Sequence, residues 1–285
     1  MELNQKAARR KLVGRIARMI VLVVCAALFL VPIIFSFFIS LKTKTEIFTD
    51  PFSWPSPVQW VNYANVWEIM EFPKLFLNTI IVSALSISVG LFMVLLSSFA
   101  IARMKFGYGK LQNGVYAFFI AGIILPSFVL LLPIYMMNSE LGTLNTYWGV
   151  VLPYWGWTAP MHTLIMVAAF RSIPSTLDEA ATIDGCGAMG ILFRINVPVI
   201  KPALVTSFII CFLGIWNEFP LSSVVLTSSD VQTVALGASK FKGLFTVDYA
   251  LMAAGVMILT IPQIIFFSFF QRYIVAGMAV GSVKG

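Results

Sequence analysis

Charge is what this sequence has least of. Only 11% of its 285 residues are Asp, Glu, Lys or Arg, while 59% are hydrophobic; a soluble domain is roughly 25% charged and about 45–50% apolar. That balance excludes an ordinary water-soluble fold, which would have nowhere to hide so much apolar surface. Histidine is nearly missing. His162 stands alone with no cluster of Cys, Asp or Glu beside it, so it completes no metal set and reads as a satisfied histidine inside an apolar segment. The three cysteines, Cys25, Cys186 and Cys211, leave an odd count and imply no disulfide framework. No Ser-His-Asp or Cys-His set is present, and no Gly-x-x-x-x-Gly-Lys-Ser/Thr loop to cradle phosphate, so neither an enzyme nor an ATP site is expected in this chain.

What is there is long apolar runs. Six stretches reach the roughly 20 residues needed to cross a hydrocarbon layer about 30 Å thick: 19–41, 75–102, 111–139, 141–170, 202–227 and 249–271, the fifth carrying Glu218 as its one charge. Alternating barrel-strand patterns are absent, and lipid offers the backbone no partners outside a helix or closed barrel. The expected fold class is therefore an all-α membrane protein with six transmembrane helices. The expected segments are an N-terminal stretch 1–18, a membrane domain 19–271 with a loop at 171–201, and a tail 272–285.

Lysine and arginine set the orientation. With connections assigned alternately to two sides, the side holding both termini collects Lys6, Arg9, Arg10, Lys11, Arg15, Arg18, Arg103, Lys105, Lys110, Arg171, Arg194, Lys201, Arg272 and Lys284; the other has Lys42, Lys44, Lys74, Lys240 and Lys242. Both termini are thus expected in the cytoplasm, and the net charge of +7 reads as a topology signal instead of a nucleic-acid site. The basic, then apolar, N-terminus imitates a signal peptide. Its apolar run is too long, and Leu22-Val23-Val24-Cys25 lacks the small residues of a lipoprotein site, so an uncleaved first span is expected.

On the outer side, Pro51, Pro55 and Pro57 predict irregular backbone before a short helix near Tyr63–Met70. A polar segment, Ser228 to Asp248, lies on the same side. All seven tryptophans fall there or in the outer half of a span, as a headgroup belt, a docking surface or a path lining. Pro126, Pro133, Pro153, Pro160 and Pro262 predict kinks. Ser83, Ser86, Gly90 and Ser97 predict close helix packing on the second span.

The loop 171–201 carries the densest pattern. Pro174 precedes Ser175 and Thr176, either of which can cap a helix with Asp178 or Glu179 three residues on. Gly185 can end that helix in a left-handed turn. The result is a surface helix of about two turns in which Ala180 and Ala181 allow close backbone approach while Leu177 and Ile183 offer apolar contact. A solvated connection would use the cap and charges but leave those residues idle.

The spacing Glu179-Ala180-Ala181, three residues, Gly185, nine residues, Ile195, one residue, Val197-Pro198 resembles the signature loop of membrane subunits of ABC-type importers, with Val197 where the family usually has leucine. The resemblance is nearest the carbohydrate-uptake class, in particular the smaller permease of maltose-type systems. It includes Phe76-Leu77-Asn78-Thr79, Leu141 to Thr146, Leu152-Pro153-Tyr154, Trp216-Asn217-Glu218-Phe219, Gln271-Arg272-Tyr273 and Gly281 to Gly285, and is poor in the first loop.

The resemblance implies a type I importer fold in a bacterial inner membrane, importing a sugar or, alternatively, another solute such as a glycerol phosphate. Asp178, Glu179, Ala180, Ala181, Asp184, Gly185, Ile195 and Pro198 would form the coupling element that docks on a separate ATPase. Partners would be a homologous second permease, two ATPase subunits holding ATP and magnesium, and an external solute-binding protein meeting Ser228–Asp248, with the tail reaching toward the ATPase interface. Trp216, Asn217 and Glu218 are candidates for a substrate path, Trp216 as a stacking face, although Glu218 is equally well placed as an interfacial residue. An ATP-independent secondary transporter would instead show acids or bases at mid-membrane, or broken inverted repeats.

Overall fold

The computed structural model describes residues 2–104, 106–107, 109–243 and 247–282, the side chains of 2–11, 272 and 274–282 excepted. Of the tail expected to reach an ATPase, residues 283–285 and every side chain but that of Tyr273 therefore lie outside the described residues. The described chain is helical, with one isolated bridge, Lys242 to Val247, and no strand.

In chain order the helices are α1 (Glu2–Ser40), α2 (Lys44–Thr49), α3 (Val61–Met70), α4 (Phe72–Arg103), α5 (Gly109–Ala121), α6 (Leu131–Leu141), α7 (Trp148–Arg171) and α8 (Ser175–Ile183). Two one-turn helices follow, α9 (Ala188–Gly190) and α10 (Val197–Val199), with a π-helical turn, Ile191–Asn196, between them. Then come α11 (Lys201–Trp216), α12 (Pro220–Val225), α13 (Val234–Gly237) and α14 (Tyr249–Ser282).

The chain divides into two units, 1–70 with 238–258, and 71–237 with 259–285. In the first, α1 is apolar on every side from Met19 onward, and its large apolar residues from Leu12 to Phe35 are exposed, the profile of a helix whose solvent is lipid. The expected helix near Tyr63–Met70 forms as α3, after irregular backbone at 50–60. Lys42 is fully buried, its ammonium donating to Asp50 O at 2.7 Å and Ser53 Oγ at 3.0 Å. The capping box of this chain lies here: Thr43 Oγ1 accepts from Glu46 N, and the Glu46 carboxylate accepts from Thr43 N.

The second unit is built on α4 against α7, with α11 packed on both. Ser83, Ser86 and Gly90 sit in the buried face of α4, and a Cβ at Gly90 would stand 3.2 Å from Thr158 Oγ1 of α7, so glycine is what lets these helices approach. At the α8 end, Val94, Leu95 and Phe99 of α4, Met166 and Phe170 of α7, and Ile173, Leu192 and Ile200 form one apolar core. Phe208 and Phe212 of α11 meet Phe266 of α14, Phe212 stacked at 4.0 Å.

Three of the expected spans are redrawn. The run 111–139 is not one helix: α5 and α6, each extended by a 3-10 turn, meet at 93° across Leu125 and Pro126. Proline has no N–H to donate and disfavours helical backbone in the residue before it, and Leu125 is extended at φ −75°, ψ 116°. The fourth starts at Trp148, because Gly142 at φ +66° ends α6 first. The fifth stops at Trp216 and resumes after a break as the short α12, which begins at Pro220.

By length and composition α1 from Leu12, α4, and α14 to Gln271 can each cross a membrane, and two bent pairs, α5 with α6 and the α9–α10 segment with α11, raise the number to five. Helix α7, with 24 residues, is long enough, but its Trp, Tyr, Pro and His dilute its aliphatic content.

Candidate functional site

Helix α8 begins where α7 ends. Ser172 closes α7 through bonds from its N–H to Ala168 and Ala169 O, and Pro174 turns the chain out, fixing its own φ at −58°. Neither expected capping residue caps: Pro174 stands at the cap and no side chain bonds to the first N–H groups.

Asp178 is engaged elsewhere. Its Oδ2 lies 3.1 Å from Arg103 Nε, at the last turn of α4, and its Oδ1 accepts from Asn196 Nδ2 at 3.0 Å. The pair is well shielded, at 9% side-chain exposure for Arg103 and 19% for Asp178, and Asn196 is fully buried. One carboxylate thus fastens α8 to the end of α4 and to the π-helical turn, an irregularity that recurs at functional sites. Sequence reasoning missed Arg103 and Asn196. Their signal was present only as polarity beside apolar runs.

The far end of α8 forms as expected. Gly185 takes φ +82°, donating to Thr182 O at 3.0 Å, and Cys186 N reaches back to Ala181 O at 2.9 Å. These two bonds make a complete Schellman turn, which satisfies carbonyls a helix end would otherwise orphan.

The two alanines divide the labour the sequence gave them jointly. Ala181 is buried at 6% exposure, whereas Ala180 is exposed together with Glu179, Leu177 and Ile183, the last at 87%. Asp184, Gly185 and Pro198 are exposed too, and Ile195 is half-buried in the π-helical turn. The exposed side of α8 is therefore a small, mixed surface: one carboxylate, one alanine, two aliphatic side chains and the hydroxyl residues Ser175, Thr176 and Thr182, carried on a helix whose inner face is locked down.

The other candidate set fares differently. Trp216 is buried, edge-on to Phe76 at 5.8 Å and against Phe212 at 5.6 Å, so it offers no free stacking face. Asn217 turns its amide back to Leu213 O at 2.8 Å. Glu218 caps α12: Oε1 accepts from Leu221 N at 2.7 Å, and Oε2 accepts from Ser222 N at 3.0 Å, Ser222 Oγ at 2.9 Å and Tyr154 Oη at 2.6 Å. With both oxygens engaged, it holds a chain break in place. His162, expected to be satisfied, is buried at 3% exposure, but its Nδ1 has no hydrogen-bond partner among the described residues.

At the opposite end of α4, several quoted residues form one network. Asn78 donates to the carbonyls of Asp230 and Gln232, both at 2.9 Å, and accepts from Tyr147 Oη at 2.8 Å. Thr79 Oγ1 accepts from Val234 N at 2.8 Å. Asn145, at φ +56°, accepts from Ser228 N at 2.7 Å. The segment 228–234 is thereby held on the second unit.

Comparison with known proteins places this arrangement. The family model for the binding-protein-dependent transport system inner membrane component matches residues 94–280. The chain is 30% identical over 257 residues to the sulfoquinovosyl glycerol transport system permease protein SmoH of Agrobacterium fabrum, covering 90% of this chain and 89% of that one. It is 29% identical to the melibiose/raffinose/stachyose import permease protein MelC of Bacillus subtilis, over 98% of this chain and all of that one. Among solved structures, a chain of a bacterial ABC transporter involved in the import of the acidic polysaccharide alginate superposes with a TM-score of 0.77 at 21% identity, covering 92% of this chain and 96% of that one. That likeness establishes the fold.

Proposed function

The chain belongs to the binding-protein-dependent transport system inner membrane components, multi-pass membrane subunits of importers, and we propose that within that family it is a permease of an ATP-driven importer for a sugar or oligosaccharide. The observation that carries the reading is α8: an exposed Glu179-Ala180 surface on a helix fastened by Asp178 to α4 and sealed by the Gly185 turn. The sugar class is supported by the cargo named for the relatives, among them melibiose, raffinose and stachyose.

In this reading the chain crosses the bacterial inner membrane six times, α7 and the two bent pairs each counting as one crossing, with both termini in the cytoplasm. It works beside a homologous second permease, two ATPase subunits that bind ATP and magnesium, and an external binding protein that meets 228–248. The chain itself holds no cofactor.

Driving a transporter from mostly inward-open to mostly outward-open takes about 5.5 kcal/mol of differential binding. A single charge-assisted contact at Glu179 supplies about 1.5–3 kcal/mol, so α8 works as a lever that a closing pair of ATPases moves. The Arg103–Asp178–Asn196 tie is what makes that lever stiff. The two aliphatic residues of the outer face seat in the ATPase, Glu179 sets register, and Asp184, Gly185, Ile195 and Pro198 keep the loop's return path fixed.

The test is purification of the native complex from the membrane, followed by uptake of a panel of radiolabelled oligosaccharides and glycerol phosphates into proteoliposomes supplied with ATP. An ATPase should copurify, and sugar uptake should require ATP. Uptake that follows an ion gradient without ATP would sink the reading.

A further inference from the structure

The segment between α1 and α3 lies outside the stretch 94–280 that the family model matches. It holds out four large aromatic side chains, with Phe48 at 67%, Phe52 at 84%, Trp54 at 72% and Trp60 at 62% exposure. Scattered singly, such residues would need no account. These are tied to helix ends. The Phe52 ring lies 5.4 Å from Phe35 of α1, Trp54 stands edge-on to Phe38 at 5.2 Å, and Trp60 lies 6.4 Å from Phe37. Phe48 stands edge-on at 5.9 Å to Tyr249, the first residue of α14. The loop thus folds its aromatic rings back onto the ends of two helices that are each long and apolar enough to cross a membrane.

Depth decides what faces that surface. Arg18 is the last basic residue of α1 before its apolar run, and it sets one edge of the hydrocarbon layer. Phe35 and Phe38 stand 17 and 20 residues beyond it, about 26 Å and about 30 Å along the helix axis. That is the far edge of a layer roughly 30 Å thick. Phe52 and Trp54, in ring contact with these two residues, sit at the same level. Their surface is continuous with the membrane stretch of α1, none of which is buried within this chain.

The loop is also built for a level where water is scarce and unpaired backbone groups are costly. Gln59 N donates to Leu41 O at 2.8 Å. Asn62 Nδ2 donates to Ser40 O at 2.8 Å and Lys42 O at 3.1 Å, carbonyls at the end of α1 that the helix itself leaves open. Ser56 N donates to Glu46 Oε1 at 3.0 Å, and Ser53 N to Asp50 Oδ1 at 3.1 Å. Lys44, Thr45 and Asp50 are exposed, which suits headgroups and not acyl chains and so limits the depth to the boundary between them.

We propose that residues 48–60 are an interfacial anchor. Phe48, Phe52, Trp54 and Trp60 seat among the phospholipids at the outer end of α1, in the orientation given above, and fix the depth and tilt of that helix. Packing against neighbours or interfacial aromatic anchors set tilt in a bilayer, and within this chain the membrane stretch of α1 has only the second. Of the three uses open to the tryptophans, this assigns Trp54 and Trp60 to lipid. The proposal stands on membrane insertion of α1 and not on the sugar reading.

The experiment is photo-crosslinking in the complete complex, reconstituted in nanodiscs of phosphatidylethanolamine and phosphatidylglycerol with its binding protein added. The photoreactive p-benzoylphenylalanine replaces Phe52, Trp54, Leu28 of α1 or Ser229 one at a time, and adducts are identified by mass spectrometry. Leu28, 68% exposed on α1, reports lipid contact, and Ser229 is exposed in the segment proposed to meet the binding protein. Phe52 and Trp54 should yield phospholipid adducts as readily as Leu28 and at least tenfold more than Ser229.

Adducts to the binding protein or the second permease at both loop positions would overturn the anchor and make this face a docking surface for protein. Lipid adducts confined to Leu28 would overturn it as well. A second measurement avoids the bulky photoreactive group: in nanodiscs whose lipid is brominated near the headgroup end of its acyl chains, the paired change Trp54→Phe and Trp60→Phe should remove part of the bromine-quenched tryptophan emission. The same quenched intensity with and without the pair would sink the proposal, whatever the complex imports.

Discussion

The two ends of α4 solve the same problem by different means. Each must hold a neighbouring segment against a helix that is apolar for most of its length. At the Arg103 end a single shielded ion pair does so, with one amide completing the carboxylate. At the Asn78 end the work is spread over neutral hydrogen bonds to backbone, with an exposed Lys74–Asp230 pair at the rim. A distributed network degrades gradually when one member is lost. A shielded pair fails at once, because the surviving charge is left without a partner.

The largest effect should therefore come from Arg103→Ala, which strands Asp178. Breaking a buried pair from one side costs about 3–5 kcal/mol. ATP-driven uptake should fall at least tenfold while the chain still inserts, as measured by transport and membrane immunoblot. Arg103→Met combined with Asp178→Leu should restore thermal stability in detergent without restoring coupling; full recovery of coupling would show that the tie is only packing.

Asn78→Ala comes next, leaving two carbonyls and the Tyr147 hydroxyl without their partner at a cost of about 1–3 kcal/mol. Its signature should be weaker docking of the binding protein with normal basal ATPase activity, read by surface plasmon resonance on nanodiscs. Gly185→Ala should cost about 1–2 kcal/mol, the penalty for an L-residue in left-handed backbone, and should lower uptake more than it lowers the melting temperature.

The smallest effect belongs to Lys74→Ala. The Lys74 ammonium holds the Asp230 carboxyl below its ordinary range, so this contribution is present above the ordinary carboxylate pKa and is lost as acid carries the pH down through the folded-state value. Being exposed, it should also vanish in high salt. A thermal-shift titration that shows the Lys74 contribution growing toward acid would contradict the assignment.

The contrast also explains what could be read in advance. Gly185 was legible because only one residue type tolerates φ +82° at low cost, and the apolar runs were legible because lipid permits few alternatives. The break at Pro126 was written in the sequence, yet a proline kink and a 93° fold-back share the same letters, so its angle was not legible there. Asp178 looked like a helix cap because caps are local. Its true partner sits 75 residues away, and no pattern within the loop announces Arg103. Glu218 and His162 were visible as rarities, but which one is spent and which is free depends on Leu221, Ser222 and Tyr154 arriving at one of them.

Ile183, 87% exposed at the tip of α8, carries a last consequence. The helix that carries it is already pinned at Asp178 and closed at Gly185, so covering this side chain orders nothing that was not ordered before. A surface that binds here gains the burial of one aliphatic group, about 1.5–3 kcal/mol, without the ordering cost that a flexible loop would take from it.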